Sequence, residues 1–226
     1  MANVSSGGSS SFSSSSRPRI FIFDYEPEDE DLADLKLETL NLNLETAAMH
    51  SGRHVVNLAL IGFMGAGKTS VGRFAAELLH FDYLDTDELI VSKTGRSIAE
   101  IFKTDGEPAF RALEEQVVGE LAGRAKTVVA TGGGLPVNPA NLASLKTHAL
   151  VVCLWASPEK IWERVKNQTH RPLLHDPDPQ KKIRDLLAAR EQFYKQADVL
   201  VNTDIRSARE VAQHVVHQFR LEASGR

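Results

Sequence analysis

One stretch narrows what this chain can fold into more than any other: Gly62-Phe63-Met64-Gly65-Ala66-Gly67-Lys68-Thr69. The apolar run Val55-Val56-Asn57-Leu58-Ala59-Leu60-Ile61 precedes it, and Ser70-Val71-Gly72-Arg73-Phe74-Ala75-Ala76-Glu77-Leu78-Leu79 follows. The first reads as a buried strand and the second as a helix, so the G-x-x-x-x-G-K-[ST] pattern sits in its required strand–loop–helix setting. Glycines there let backbone N–H groups turn inward around a polyphosphate, and the helix N-terminus adds a favourable dipole. Lys68 is expected to reach the β- and γ-phosphates and the Thr69 hydroxyl to sit on Mg²⁺, with Gly65, Ala66, Gly67 and Ser70 completing the cradle for a nucleotide's phosphates. A plain glycine turn would explain the glycines but not a Lys-Thr pair at the helix start.

Further along, apolar runs recur at 127–130, 149–154 and 198–201, with a shorter one at Tyr83-Leu84. Amphipathic helical stretches lie between them, among them 107–123 and 180–197. Alternating strands and helices predict βαβ units: a three-layer α/β domain with a five-stranded parallel sheet, covered on both faces. Ligands of such sheets bind beyond the carboxyl ends of the strands. The polar residues after each run therefore matter most: Asp85-Thr86-Asp87, Thr131-Gly132-Gly133-Gly134, Ser157-Pro158, and Asn202 through Arg206.

A length of 226 residues suits one such domain plus an appendage. Residues 1–54 carry nine Asp/Glu against four Lys/Arg, a net of −5; the whole chain is −4, so residues 55–226 carry +1. That balance argues against a basic nucleic-acid binder. No apolar run approaches the roughly 20 residues a bilayer span needs. The single cysteine, Cys153, lies in an apolar run and reads as a buried, inert thiol in a reducing compartment.

Residues 1–54 read as a disordered or weakly structured extension preceding a domain over 55–226. The first 19 residues are Ser- and Gly-rich with no acidic residue, as in an organellar transit peptide, but an acidic run from Asp24 to Asp34 follows at once. A dispensable extension in a cytoplasmic protein is preferred, with a plastid protein as the alternative. Ile20-Phe21-Ile22-Phe23 has the composition to add to a sheet edge, yet residues 20–48 hold no continuous periodicity and a solvated linker is the expectation.

Each polar group has a bland reading beside a functional one. Asp85 or Thr86 can cap the following helix; alternatively one carboxylate serves Mg²⁺ and the other, on Asp87, a substrate hydroxyl. Three glycines after a buried strand make a turn, or let a ligand approach the backbone closely. Arg111 can pair at i,i+4 with Glu107 or Glu115 on the surface, and Arg190 can be a solvated helix residue. The proline-rich stretch from Lys166 to Pro179 is long for a connection and suggests a lid, whose arginine could close on a transferring phosphate. His170 and His175 lack metal-ligand spacing and read as solvated.

Taken together these residues resemble the shikimate kinases, within the nucleoside monophosphate kinase group of phosphate-loop folds. The resemblance covers about residues 55–220. It is carried by Ile61 through Thr69, by Leu84-Asp85-Thr86-Asp87, and by Gly95-Arg96-Ser97-Ile98 with Gly106-Glu107 and Phe110-Arg111. Thr131 through Gly134, Arg171-Pro172-Leu173-Leu174, and Arg190 with Tyr194 complete it. It implies ATP-dependent phosphorylation of the shikimate 3-hydroxyl, a step of aromatic amino acid biosynthesis, by a monomer binding no nucleic acid and no membrane. Asp87 would bind a ring hydroxyl and accept its proton. Arg111, Arg190 and the Gly133-Gly134 backbone would hold the substrate, with the arginines on its carboxylate. Arg171 would be the lid arginine, Arg164 and Arg206 would flank the adenine, and Asp85 would act through water on Mg²⁺. Two positions depart from the family pattern: Ala208 stands where many members have proline, and Asn202 replaces a frequent aspartate.

Three other readings stand beside this one. A sugar-acid kinase such as a gluconate kinase is disfavoured by the paired arginines and the triple glycine. A non-catalytic relative is disfavoured by the intact Lys68, Asp85, Asp87, Arg111, Arg171 and Arg190. A GTPase lacks its Asn-Lys-x-Asp motif here.

Overall fold

The structure, a computed structural model, describes residues 19–21, 53–168 and 176–224. Its strands are β1 (Arg19–Phe21), β2 (Asn57–Ile61), β3 (Asp82–Asp85), β4 (Thr127–Ala130), β5 (Ala149–Trp155) and β6 (Val199–Asn202). The helices are α1 (Lys68–Leu79), α2 (Thr86–Thr94), α3 (Ile98–Thr104), α4 (Gly106–Leu121), α5 (Pro139–His148), α6 (Pro158–Val165), α7 (Pro179–Tyr194) and α8 (Ala208–Ala223). A single 3₁₀ turn, Leu135–Val137, follows the triple glycine. The two helices expected over 107–123 and 180–197 are α4 and α7, which end two and three residues earlier than their periodicity suggests.

All pairings are parallel, in the order β1-β6-β5-β2-β4-β3. Five of these strands are the expected sheet. The sixth comes from the N-terminal extension: Arg19 to Phe21 pair with Val199 to Val201 along the outer edge of β6. The rest of residues 1–52, and with it the remainder of the extension and linker expectations, lies outside the described residues.

Strand β2 explains why the sheet has two cores. It is buried throughout, and successive side chains point to opposite faces. Leu58 and Leu60 join Val128, Val152 and Leu154 under Val71 and Ala75 of α1 and Val211, Val215 and Phe219 of α8. Ala59 and Ile61 join Val129, Val151 and Cys153 under α4 to α7, where Val118, Leu145, Ile161 and Leu187 close the other face. Removing a buried leucine from either layer is expected to cost about 2–5 kcal/mol.

The amino ends of the strands are tied by polar side chains. Asn57 accepts from Thr127 N at 3.0 Å and donates to Arg124 O at 2.7 Å, with its amide nitrogen 3.0 Å from His148 Nδ1. Asp198, ahead of β6, accepts from Val151 N and carries ion pairs to Arg53 and Lys146. The carboxyl ends stay open. From β2 the chain steps to one side to make β3 and β4, and later to the other side to make β5 and β6. The crevice at that reversal is where α/β sheets bind ligands, and the loop after β2 opens into it.

Candidate active site

The loop from Gly62 to Gly67 takes a conformation that only glycine tolerates at its key points. Gly62 has φ 134°, and a Cβ there would stand 2.2 Å from the Leu154 carbonyl oxygen of the neighbouring strand. Gly67, at φ 100°, starts α1 without a side-chain cap, so the first amides of the helix face the crevice. Lys68 Nζ donates to the Gly62 and Phe63 carbonyls at 2.8 and 2.9 Å, lying across the loop it belongs to. Gly65, Ala66, Gly67, Lys68, Thr69 and Ser70 form one wall of a cavity of about 1780 Å³.

Asp85, Asp87, Arg111, Gly133, Arg164, Arg190 and Arg206 line the same cavity. Residues from Gly65 to Arg206 are thus brought to one rim. Arg171 falls outside the described residues, as do His170 and His175.

Asp85 is the helix cap: its Oδ1 accepts from the Asp87 and Glu88 amides at 3.0 and 3.4 Å. The bland reading of this carboxylate therefore holds, and it does not remove the group from the cavity wall. Its other oxygen lies 3.5 Å from the Tyr83 hydroxyl, whose pKa is raised by burial and by the Asp85 charge. Asp87, in the first turn of α2, packs against the triple glycine so tightly that a Cβ on Gly132 would lie 2.6 Å from its Oδ1.

Arg111 makes the i,i+4 pair with exposed Glu107 that the bland reading allows, and adds a bond to the buried Glu114. Its Nε and Nη2 donate to Glu107 at 3.1 and 2.7 Å, and Nη1 donates to Glu114 at 2.6 Å; Glu115 takes no part. Burial opposes the guanidinium charge, but the bonds to Glu114 and Glu107 outweigh it and hold the pKa above its ordinary value. Three of its five N–H groups are spoken for, leaving two for a ligand. Glu114 is 1% exposed, and complete burial pushes its carboxyl upward despite Arg111, with the Asp87 charge adding to the shift. Arg190 reaches the Gly133 carbonyl at 3.4 Å and stacks over the Phe63 ring at 5.8 Å.

On the nucleotide side, Arg164 braces the phosphate loop. It donates to Gly65 O at 3.2 Å and to the Thr203 hydroxyl at 3.0 Å, and also bonds the Thr203 carbonyl. Asn202, the departure from an aspartate, turns into its own loop and accepts from Asp204 N at 2.8 Å. Ala208 is the first residue of α8, a position where proline is favourable but not required, and it lines the cavity.

Sequence reasoning gave no role to Glu114 or Thr203, and for Thr86 it offered only a helix cap, a place that Asp85 takes. For Glu114 a signal exists. It falls in phase with Phe110, Val117, Val118 and Leu121 on the buried stripe of α4, where a charge has no place unless a partner waits. For Thr86 and Thr203 none exists, because their partners are backbone groups of distant loops.

A family model described as shikimate kinase matches residues 64–220. The shikimate kinase of Thermodesulfovibrio yellowstonii is 40% identical over 170 residues, covering 75% of this chain and 98% of that one. That of Caldanaerobacter subterraneus is 41% identical over 170 residues, covering 75% and 99%. Among solved structures, the Acinetobacter baumannii shikimate kinase in complex with shikimate superposes with a TM-score of 0.70 at 39% identity, over 76% of this chain and 96% of that one. A gluconokinase from Sinorhizobium meliloti reaches a TM-score of 0.53 at 17% identity, covering 76% and 96%, a likeness of fold alone.

Proposed function

The chain belongs to the shikimate kinase family, and from that premise we propose how its residues divide the reaction. It is a kinase that transfers the terminal phosphoryl group of ATP to the 3-hydroxyl of shikimate, giving shikimate 3-phosphate and ADP. The observation that carries the division of labour is the placement of Arg111, Asp87 and Arg190 around one glycine loop, in the cavity that the phosphate loop also lines.

Arg111 and Arg190 hold the substrate carboxylate. Charge-assisted bonds to a carboxylate are about twice as strong as neutral ones, and Glu107 and Glu114 keep the Arg111 fork oriented before the substrate arrives. Asp87 accepts the proton of the 3-hydroxyl as its oxygen forms a bond to the γ-phosphorus. The bond to the bridging oxygen breaks, and its electron pair leaves on ADP. Lys68 moves from the loop carbonyls to the β- and γ-phosphates, the α1 amides bind the phosphate oxygens, and Arg171 closes on the transferring group. Arg164 and Arg206 flank the adenine beside Ala208.

Among the described residues no cluster of three or more His, Cys, Asp or Glu is placed to hold a metal ion. Thr69 and Asp85 on the cavity wall form a sparse oxygen set, which suits Mg²⁺, an ion that keeps waters and takes other ligands from phosphates. When bound, Mg²⁺ neutralises charge on the β- and γ-phosphates; Thr69 would hold it directly and Asp85 through water.

The reading is of an enzyme that acts as a monomer on ATP and shikimate, binding no nucleic acid. Among the described residues no helix is long and apolar enough to cross a membrane. Cys153 is a free, buried thiol, as a cytoplasmic setting permits; a plastid setting follows only if the N-terminus is a transit peptide. The test is ADP release with ATP and Mg²⁺, with shikimate, with gluconate and with neither. Turnover with shikimate alone is expected. Turnover with gluconate instead would overturn shikimate as the substrate.

A further inference from the structure

We propose that Thr86 and Tyr194 are positioning residues whose two buried hydroxyls set the triple-glycine loop, and through it the distance between Asp87, Arg111 and Arg190. The inference rests on the functional reading above and adds two residues that never touch substrate.

Both side chains are completely buried. Thr86 opens α2, between the two aspartates, and its Oγ1 accepts from Gly132 N at 2.9 Å. Tyr194 closes α7, and its hydroxyl donates to Gly133 O at 2.7 Å. Valine and phenylalanine would fill these spaces as well, so packing alone does not require the oxygens. A buried hydroxyl is costly unless bonded, and here each has one backbone partner in the same loop. Burial pushes the Tyr194 pKa up to about 12, so the phenol stays a donor at any working pH.

What the loop touches gives the grip its consequence. Gly132 lies against Asp87, while a Cβ on Gly134 would stand 2.7 Å from Arg111 Nη1. Gly133 shares its carbonyl between Tyr194 and Arg190, which sit one turn apart on α7. The loop thus touches the proton acceptor and both arginines, and it is held from one side by α2 and from the other by α7. The loop also packs against the phosphate loop, since a Cβ on Gly133 would stand 3.4 Å from Met64 N and 3.5 Å from Gly62 O, but its two hydroxyl anchors come from α2 and α7 and not from α1. Loosening the loop is therefore expected to weaken binding of the carboxylate substrate more than binding of ATP.

The test compares full-length wild type with Tyr194→Phe, Thr86→Val and Thr86→Ser, measuring KM for shikimate at saturating ATP and Mg²⁺ and KM for ATP at saturating shikimate. Loss of either oxygen is expected to raise KM for shikimate about five- to twentyfold, with KM for ATP within about twofold. Thr86→Ser keeps the oxygen and is expected to stay within about twofold of wild type in both. Unchanged KM for shikimate in Tyr194→Phe and Thr86→Val overturns the proposal, as does a parallel rise in both constants, which marks general loosening. Should Thr86→Val not fold, Tyr194→Phe decides by itself, since it deletes one atom and leaves the packing. Wild-type turnover reports separately on the functional reading; its absence with shikimate overturns that reading and the positioning roles with it.

Discussion

Alanine at Gly132 and alanine at Gly134, two residues apart in one loop, should damage different kinetic constants. At Gly132 the added methyl would lie 2.6 Å from Asp87 Oδ1 and 3.1 Å from Glu114 Oε1. Ordinary contact begins near 3.4 Å, so the Asp87 carboxylate must retreat by about 0.8 Å. A misplacement of about 1 Å at a reacting group can cost about a hundredfold. A fall in kcat of about 10- to 100-fold is expected, equivalent to about 1.4–2.7 kcal/mol. At Gly134 the methyl meets the guanidinium instead, 2.7 Å from Nη1 and 2.8 Å from Nη2 of Arg111. Gly134 has φ −97°, an angle that alanine adopts without strain, so the damage stays with the arginine. Displacing one charge-assisted pair is worth about 1.5–3 kcal/mol, or about a 10- to 100-fold rise in KM for shikimate with kcat less affected. Coupled ADP-release kinetics with each substrate varied in turn gives both constants. If Gly132→Ala keeps kcat within twofold, or if both variants raise KM alike, the assignment of Asp87 to the proton and Arg111 to the carboxylate is wrong.

Other outcomes follow from the same geometry. Asp87→Asn should lower kcat by about 10²–10⁴-fold while nucleotide binding, read by titration with an ATP analogue, stays near wild type; wild-type-like turnover would take Asp87 out of the mechanism. Burial depresses the His148 pKa, so the unfolded chain binds a proton that the folded one rejects. Stability from this group is therefore complete above about pH 6.5 and declines as pH falls from there toward the folded pKa. His148→Gln should accordingly lose less Tm than wild type between pH 7.5 and 5.5, and an equal loss in calorimetry would exclude His148 as the source. Arg53→Ala removes the bidentate contact to Asp198, at 3.0 and 3.3 Å, and should lower stability by about 1 kcal/mol, roughly 2–4 °C in Tm, without changing kcat. A changed kcat there would show that the two ends of the sheet are coupled.

The parts of this site that local chemistry dictates were legible in the sequence. A strand that is buried on both faces reads as an unbroken apolar run, and the glycine, lysine and threonine after Ile61 announce their own purpose. Asp85 was ambiguous because its two roles need the same carboxylate in the same place, and the structure shows the cap directly. Arg111 and Arg190 looked like surface residues singly, since nothing local tells an arginine facing water from one facing a crevice. Only the family resemblance set them together. The grip of Thr86 on Gly132, 46 residues away, is a contact of tertiary structure with no periodic trace. The edge pairing of Arg19–Phe21 with β6 was half legible: the apolar composition of Ile20 to Phe23 suits a sheet edge, but the linker reading was preferred because the edge it meets lies far along the chain.

The division between the two ends of the sheet has a practical meaning for engineering. The Asn57 network and the phosphate loop are separated by the five residues of β2, about 16 Å. Substitutions that far apart with no shared partner act additively to within a few tenths of a kcal/mol. Thermal tolerance can therefore be raised from the amino ends, by better caps and ion pairs, without entering the trade against turnover that rigidifying a catalytic rim incurs.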